Sequence, residues 1–304
     1  MIVRWLWWIN PKYWPLLLGI GFIRLFVLLP YTWQLTVGRW IGRLGMHLAP
    51  RRKRIAATNL RLCFPELSKP QHHVLLRKTF ESMGMGGVET MMAWWMSDRR
   101  FNKIPIKMIG WDNYLAAEAT GQGVIVACAH FTCLEMVGRH FGTLRHYALV
   151  YQKHNNPVYE AMMAGCRKRY NAQAVPRKDM RDMVRCLHAG KTLFYAPDQD
   201  FGADRSVFAP FFNIPTATVK ATAWLTKAGK AKFVPVMYNR SADNKSYEIH
   251  VSPAFENFPV GHEVADAARF NHVIEAHARQ FPDQYLWAHR RFKTRPPGEP
   301  SVYG

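Results

Sequence analysis

Short apolar runs alternate with longer amphipathic segments from residue 110 onward, and this alternation restricts the fold more than any other feature of the chain. Short runs bounded by turn residues are typical of buried strands, whereas the longer segments have helical spacing. Strands that alternate with helices along a chain form a mostly parallel sheet covered by helices. The sequence therefore predicts an α/β sandwich with a largely parallel central sheet.

The predicted strands are 123–129, 147–151, 192–196, 233–238 and 247–251. The first reads GVIVACA, without any polar alternation, so we expect it at the centre of the sheet. The predicted helices cover 51–62, 71–95, a segment starting at Asn156-Pro157, 179–189, 216–227 and 264–279. In such sheets ligands bind beyond the carboxyl ends of the strands, so we expect the site there.

The first 65 residues contain no acidic residue and carry ten basic ones, which is half of the net charge of +20. The same segment holds six tryptophans among leucines and isoleucines. Tryptophan close to arginine and lysine is typical of the membrane–water interface. We therefore expect residues 1–48 to form N-terminal membrane-anchoring helices and residues 49–304 to form a single α/β domain.

Two arrangements of this anchor remain open. Its cleanest apolar run, 14–29, is shorter than the roughly 20 residues of a transmembrane helix and contains Pro15 and Arg24. If it spans, the basic residues that follow it favour a cytoplasmic location for the rest of the chain. A helix lying in the interface explains Arg24 better, because the charge then stays among the headgroups.

Several signatures of common enzymes and metal sites are missing from the chain. It has no Walker loop, no G-x-S-x-G and no H-E-x-x-H, so ATP hydrolysis, serine hydrolysis and zinc proteolysis lose support. Its five cysteines form no Cys-x-x-Cys pair, and we expect reduced core residues, as in a cytoplasmic domain. The basic excess instead predicts an anionic partner, whether nucleic acid, anionic lipid or acidic protein.

The polar segment after the predicted central strand contains His130 and Glu135. A histidine at a strand end can act as general base at neutral pH, and a carboxylate on its other ring nitrogen fixes the tautomer. Glu135 is the candidate for that carboxylate. The structural alternative is a capping box, in which Thr132 and Glu135 secure the first turn of a helix. From these residues alone, the structural alternative is favoured.

The spacing His130-x4-Glu135 after an apolar strand resembles the His-x4-Asp/Glu motif of glycerolipid-type acyltransferases. Longer blocks, spread over almost the whole chain, resemble the late (secondary) acyltransferases of lipid A biosynthesis, most closely the lauroyl acyltransferase type. These blocks include LCFPE at 62–66, FESMGMG at 80–86, YAPDQDFG at 195–202, SVF at 206–208, PFF at 210–212 and QYLWAHRRFKTRP at 284–296.

This resemblance implies a glycerolipid-acyltransferase-like fold. It also implies transfer of a fatty acyl chain from acyl carrier protein to the hydroxyl of a 3-hydroxyacyl chain on a Kdo-bearing lipid A precursor, at the cytoplasmic face of a bacterial inner membrane. His130 would take the proton of the attacking hydroxyl, and Glu135 would orient His130. Because the substrate supplies the nucleophile, no acyl-enzyme, metal or cofactor is expected.

Basic residues are the candidates for the anionic end of this acceptor. Arginine can bind phosphate through two hydrogen bonds, which singles out Arg167, Arg169 and Arg177. The alternative for each of them is a solvated basic helix face. The segment 289–295, with five basic side chains, is predicted to form a lipid headgroup surface.

Two acidic residues and three aromatic ones complete the candidates. Asp198 and Asp200 follow a predicted strand and can bind sugar hydroxyls or hold an arginine, or else form a turn. Phe208, with Phe211 and Phe212, can line an acyl groove, although aromatic residues at such spacing are more often plain core.

The chain departs from the family at one place. Members usually have Tyr-Arg-Pro before an Asn-Pro, whereas this chain has Gln152 and Lys153 there. Gln152 lacks the charge of the arginine, which Lys153 can supply from the next position. Two other functions remain open: an acyltransferase of the same fold that uses a lysophospholipid or another glycolipid, and a membrane-tethered nucleic-acid binder, suggested by charge alone.

Overall fold

The computed structural model describes residues 10–170 and 172–303. Helices come first: α1 (Trp14–Phe26), α2 (Tyr31–Leu48), α3 (Pro50–Cys63), α4 (Lys69–Trp95) and the short α5 (Asp98–Phe101). Strands and helices then alternate: β1 (Ile106–Ile109), α6 (Trp111–Glu118), β2 (Val124–Ala127), α7 (Leu134–Leu144), β3 (Tyr147–Tyr151), α8 (Pro157–Arg169), β4 (Ala172–Pro176), α9 (Met180–His188) and β5 (Thr192–Tyr195). The chain ends with β6 (Ser206–Phe211), β7 (Ile214–Val219), α10 (Ala221–Ala228), β8 (Lys232–Arg240), β9 (Tyr247–Val251) and α11 (Glu263–Gln280).

The main sheet of this described part has seven strands in the order β1-β9-β8-β2-β5-β3-β4. Neighbouring strands are parallel except for β8 and β9. β2 lies between β8 and β5, and all four of its residues are buried. The predicted α/β class, the mostly parallel sheet and the central place of the GVIVACA run are therefore confirmed.

The predicted strands are all present, but the sequence analysis missed β1, β4 and a separate hairpin of β6 and β7. It also predicted a helix over 216–227, which is wrong in its first part, because β7 continues to Val219. The turn residues Phe212 and Asn213 both have positive φ, as a two-residue hairpin turn of the favoured type requires. Thr216, Thr218 and Val219 are β-branched, which suits a strand.

The N-terminal helices meet the rest of the fold through α2, which packs closely along α4. A Cβ atom on Gly42 would lie 2.0 Å from the Phe80 carbonyl oxygen, and one on Gly84 would lie 2.1 Å from the Gly38 carbonyl oxygen. Glycine is therefore required at this crossing. Among the described residues, no helix combines the length and apolarity that crossing a membrane takes. Residues 1–9 of the expected anchor lie outside the described part.

The five cysteines are free, and all except the half-buried Cys166 are buried. The core position expected of the cysteines is therefore confirmed for the four buried ones.

Candidate active site

His130 lies three residues beyond β2, where the chain leaves the sheet toward α7. The neighbouring strand β5 runs parallel to β2, and its last residue, Tyr195, pairs with Ala127. Continuing this register by the same three residues brings His130 opposite Asp198. The site is therefore built by the carboxyl ends of two adjacent parallel strands, as the fold class predicts.

Asp198 holds His130 through both carboxylate oxygens. The Nδ1 atom of His130 lies 2.6 Å from Oδ1, and the His130 backbone N–H donates to Oδ2 over 3.0 Å. The Tyr285 hydroxyl also donates to Oδ2, over 3.1 Å. Asp198 is 2% exposed, whereas the His130 side chain is 29% exposed. This arrangement keeps the ring proton on Nδ1 and leaves Nε2 as the proton acceptor.

The two groups shift each other's pKa in opposite directions. Burial favours the neutral imidazole, but the charge and hydrogen bond of Asp198 outweigh burial and raise the pKa of His130 above its ordinary value. Burial also disfavours the ionised carboxylate, yet the charge and hydrogen bonds of His130 lower the pKa of Asp198 to about 2. Asp198 is therefore ionised at neutral pH and stabilises an imidazolium on His130.

A C-terminal segment holds the His130 loop from the other side. The Thr132 N–H donates to the Gln284 carbonyl over 2.9 Å, and the Leu286 N–H donates to the His130 carbonyl over 3.0 Å. The ring of Phe131 packs edge-on against that of Tyr285. The loop that carries the imidazole is therefore fixed by backbone hydrogen bonds as well as by Asp198.

Glu135 does not contact His130, so the predicted hydrogen bond between them is wrong. Its Oε2 accepts a hydrogen bond from Trp94 Nε1 over 2.9 Å, and its Oε1 accepts one from Arg167. The reason is positional: His130 stays at the sheet edge beside Asp198, whereas Glu135 lies in the first turn of α7 and reaches α4 and α8.

The capping box, the structural alternative for Glu135, does not form either. Helix α7 begins at Leu134 after Cys133, without a side-chain cap. The Thr132 hydroxyl instead lies 3.0 Å from the Ser82 hydroxyl of α4. Glu135 is therefore a bridge between three helices, and its part in catalysis stays a prediction.

The carboxylate of Asp200 is hydrogen-bonded within the protein. Its Oδ2 accepts from the Thr294 N–H over 2.7 Å, and its Oδ1 accepts from the Thr294 hydroxyl over 2.8 Å and the Gly202 N–H over 3.0 Å. These bonds agree with the turn alternative. The carboxylate of Asp198 likewise accepts hydrogen bonds, from His130 and Tyr285, and a contact of either residue with sugar hydroxyls stays a prediction.

The structure separates the three candidate arginines. Arg167 pairs with Glu135. Arg169 is the last residue of α8 and lies 3.5 Å from Asp98. The next residue, Tyr170, packs near the C-terminal end of α7, away from His130. The guanidinium of Arg177 lies 5.1 Å from the ring centre of Phe201, and Phe201 belongs to the segment that follows Asp198. Only Arg177 therefore borders the strand-end loops.

The aromatic candidates divide in the same way. Phe211 and Phe212 are buried, and their rings pack with those of Tyr285 and Trp287 in the core. The plain-core alternative is therefore confirmed for these two. Phe208 in β6 is half-buried and remains available for contact with a ligand.

Sequence reasoning found Asp198 but assigned it another role, and it missed Tyr285. The available signal for Asp198 was its position just after a predicted strand, because the structure shows that it lies three residues beyond the end of β5, as His130 lies three residues beyond the end of β2. Nothing in the local sequence of Tyr285 indicates a contact with a carboxylate 87 positions away.

Comparisons with known sequences bear on this site. A family profile for bacterial lipid A biosynthesis acyltransferase matches residues 8–294. The chain belongs to this acyltransferase family. It is 37% identical over 296 residues to the lipid A biosynthesis lauroyltransferase of Escherichia coli strain K12, which covers 97% of this chain and 96% of the relative.

Other relatives of this acyltransferase are named for different acyl chains. The lipid A biosynthesis palmitoleoyltransferase of the same strain is 38% identical over 296 residues, covering 97% of this chain and 96% of the relative. The myristoyltransferase is 26% identical over 299 residues, covering 97% and 91%. Because the first two identities are nearly equal, similarity alone does not separate lauroyl from palmitoleoyl.

Proposed function

We propose that this acyltransferase transfers a fatty acyl chain, with lauroyl as the expected chain, from acyl carrier protein to a 3-hydroxyacyl hydroxyl of a Kdo-bearing lipid A precursor. The observation that carries the proposal is the His130–Asp198 pair at the strand ends, with Nδ1 bonded to the carboxylate and Nε2 left as proton acceptor. Family membership supplies the reaction class.

His130 is the general base in this proposal. Its Nε2 takes the proton of the acceptor hydroxyl as the hydroxyl oxygen attacks the thioester carbonyl carbon. The C–S bond then breaks, the thiolate of the carrier leaves, and the imidazolium returns the proton to that sulfur. Asp198 stays ionised throughout and stabilises the imidazolium between the two steps. The reaction exchanges a thioester for an ester and needs no metal or cofactor.

Charge supports the two anionic partners. The net charge is +20, whereas acyl carrier protein is acidic and the acceptor carries phosphate and sugar-acid groups. A strongly basic surface attracts both and raises their rate of encounter with the site.

We also propose that α1 and α2 lie on the cytoplasmic surface of the inner membrane. The outer side of α2 carries five apolar residues, each more than half exposed: Trp33, Trp40, Ile41, Leu44 and Leu48. Arg43 lies over the ring of Trp40, at 4.9 Å. An apolar row with tryptophan and flanking arginine suits an interfacial helix, whose charges stay among the headgroups.

Three further residues complete the proposed site. Glu135 acts as a positioning residue, because it ties the first turn of α7 to Arg167 and Trp94. Arg177, beside Phe201, is the best placed of the predicted arginines to meet the acceptor. Phe208, the half-buried member of the three candidates, contacts the acyl chain.

The experiment is mass spectrometry of lipid products from detergent-solubilised enzyme. Lauroyl-, myristoyl- and palmitoleoyl-acyl carrier protein are each offered with the Kdo-bearing precursor, and separately with a lysophospholipid. The His130→Asn variant is the matched control, because its amide can still donate to Asp198 but has no Nε2 base. We expect acylated lipid A precursor with wild type alone. Product on the lysophospholipid only, from folded enzyme, would contradict the proposed acceptor.

A further inference from the structure

A basic pocket lies beside the His130 site, at the junction of α3 with two C-terminal loops. Its cavity of about 300 Å³ is lined by Arg51, Arg52, Asp200, His289, Arg290 and Lys293. Because a water molecule takes about 30 Å³ of liquid volume, the cavity has room for a phosphate group and part of the sugar that carries it. The question is whether this concentration of charge is a site or only a solvated surface.

The positive charges of the basic pocket outnumber the carboxylates in its wall. Within residues 10–170 and 172–303, none of the four Arg and Lys side chains forms an ion pair with a carboxylate. Asp200, the acid in the wall, is engaged by Thr294 and Gly202. Burial lowers the pKa of His289 to about 4, so this residue is neutral at pH 7. The pocket therefore presents four cations against a single carboxylate.

The N-terminus of α3 opposes this charge, which argues against a purely structural role. Helix dipoles favour acidic residues in the first turn, yet this turn contains no acid and holds Arg51 and Arg52. The N-cap residue Ala49 makes no side-chain hydrogen bond, so the first N–H groups have no side-chain cap. A bound anion would satisfy these N–H groups and the arginines together.

The basic pocket is also fixed in position relative to His130. Asn59 of α3 donates to the carbonyls of Trp287 and His289 over 2.7 and 2.8 Å. The Asp200 N–H donates to His289 Nε2 over 3.3 Å, and Asp200 lies two residues beyond Asp198. The loops that form the pocket are therefore the loops that hold the general base.

The membrane-facing row of α2 indicates where the ligand comes from. That exposed apolar row ends at Leu48, three residues before Arg51. A cationic cavity that directly follows a lipid-facing surface lies at headgroup depth. A phosphate carried by the acceptor lipid is held at that depth. The phosphate of a carrier-bound pantetheine arm instead arrives from solution, and the length of the arm separates it from the thioester.

We propose that the basic pocket binds a phosphate group on the sugar headgroup of the acceptor lipid and so places the acceptor hydroxyl at His130. This rests on the proposed function for the identity of the acceptor. The binding itself is a property of the pocket and is tested separately from turnover.

The test compares two double variants of equal charge. The pocket variant carries Arg51→Gln and Lys293→Gln, which leaves the Arg52 bond to Ala288 and the Arg290 contact with Tyr303 intact. The control variant carries Arg54→Gln and Lys227→Gln, two exposed residues outside the pocket. Both are also made in the His130→Asn background, so that binding is measured without turnover, and thermal melts check their folding.

Binding is measured by flotation with phosphatidylcholine vesicles that carry the phosphorylated precursor, before and after phosphatase treatment of that lipid. We expect the pocket variant to bind the phosphorylated vesicles about 10- to 100-fold more weakly than the control variant, and both to bind the dephosphorylated vesicles alike. Equal binding of the phosphorylated vesicles by a folded pocket variant would overturn the proposal.

Steady-state kinetics in the active background separates the two sources of phosphate. We expect the pocket variant to raise KM for the acceptor and to leave KM for acyl carrier protein at the value of the control variant. A rise in the donor KM alone would assign the pocket to the carrier and overturn the proposal. If wild type makes no product with any acceptor, the proposed function fails, while the vesicle comparison still decides the pocket.

Discussion

Two buried carboxylates near the His130 loop each pair with a basic side chain, and the two pairs differ in the exposure of that basic side chain. In the first, Asp198 is buried and His130 is 29% exposed. In the second, Arg240 donates to both oxygens of Glu89 over 2.6 Å, and both side chains are 1% exposed. Each pair joins distant parts of the chain, but only the first leaves a titratable nitrogen for a substrate.

The second pair has no such atom. Tyr247 donates a further hydrogen bond to Glu89, and Arg240 also contacts the hydroxyls of Ser82 and Thr132 at 3.3 and 3.4 Å. A buried ion pair whose polar atoms all have hydrogen-bond partners holds the fold in place and cannot exchange protons with a ligand. Since Thr132 follows His130 by two residues, the pair of Glu89 and Arg240 supports the His130 loop. Exposure and an unused acceptor, rather than charge, therefore distinguish the proposed catalytic pair.

The largest expected effect is on the exposed pair. His130→Asn keeps a donor to Asp198 and removes the Nε2 base, so we expect kcat/KM for acyl transfer to fall about 10²- to 10⁴-fold. Stability changes by about 1 kcal/mol or less, since an amide donor replaces the imidazole donor to the same carboxylate. The measurement is product formation alongside a urea titration. Near-normal turnover would show that His130 is not the base, and the two ion pairs would then no longer differ in function.

For the buried pair of Glu89 and Arg240 we expect an effect on the free energy of unfolding instead. Glu89→Ala leaves a buried guanidinium without its carboxylate, which costs about 3–5 kcal/mol of unfolding free energy. The measurement is the urea midpoint in detergent. The double variant Glu89→Met with Arg240→Met removes both charges and should recover much of that loss. A double variant as unstable as the sum of its single variants would mean that the ion pair itself stabilises the fold.

The elements of the fold were predictable where a pattern is local. GVIVACA indicates a central strand by its lack of polar residues, and the strands at 147–151 and 247–251 match the structure residue for residue. β4 and the β6–β7 hairpin were missed. The hairpin depends on positive φ at Phe212, a residue type that does not indicate such a turn.

The pairing of His130 with Asp198 was not predictable for a different reason, which is strand order. β3 follows β2 in the chain, yet β5 is the strand beside β2 in the sheet. Local sequence identifies each strand end but does not say which ends are neighbours. Glu135, five residues from His130, was therefore the natural candidate, although the partner is Asp198, 68 residues away. Contacts of this separation are decided by tertiary packing.

Asp198→Asn is the next largest prediction and tests this partner directly. The carboxylate raises the pKa of His130, so wild-type activity should rise with pH through a midpoint above about 6.5, where His130 loses its proton. In the variant, burial remains and the charge is gone, so the midpoint moves to lower pH. The plateau rate falls about 10²-fold, because the tautomer is no longer fixed. The measurement is a pH profile of kcat/KM, and an unmoved midpoint would contradict the assigned partner.

Glu135→Gln has the smallest expected effect and separates positioning from direct contact. The amide oxygen can still accept from Trp94, but the ion pair with Arg167 is lost, so we expect a stability loss of about 1–3 kcal/mol and a rate reduced about tenfold. The pH midpoint should stay at its wild-type value, because Glu135 does not touch His130. Trp94→Phe, which removes only the neutral bond, should cost less than the loss of the ion pair. A midpoint displaced as in Asp198→Asn would mean that Glu135 reaches the imidazole during turnover. Glu135 would then belong with Asp198 in the proposed site and not with the structural carboxylates.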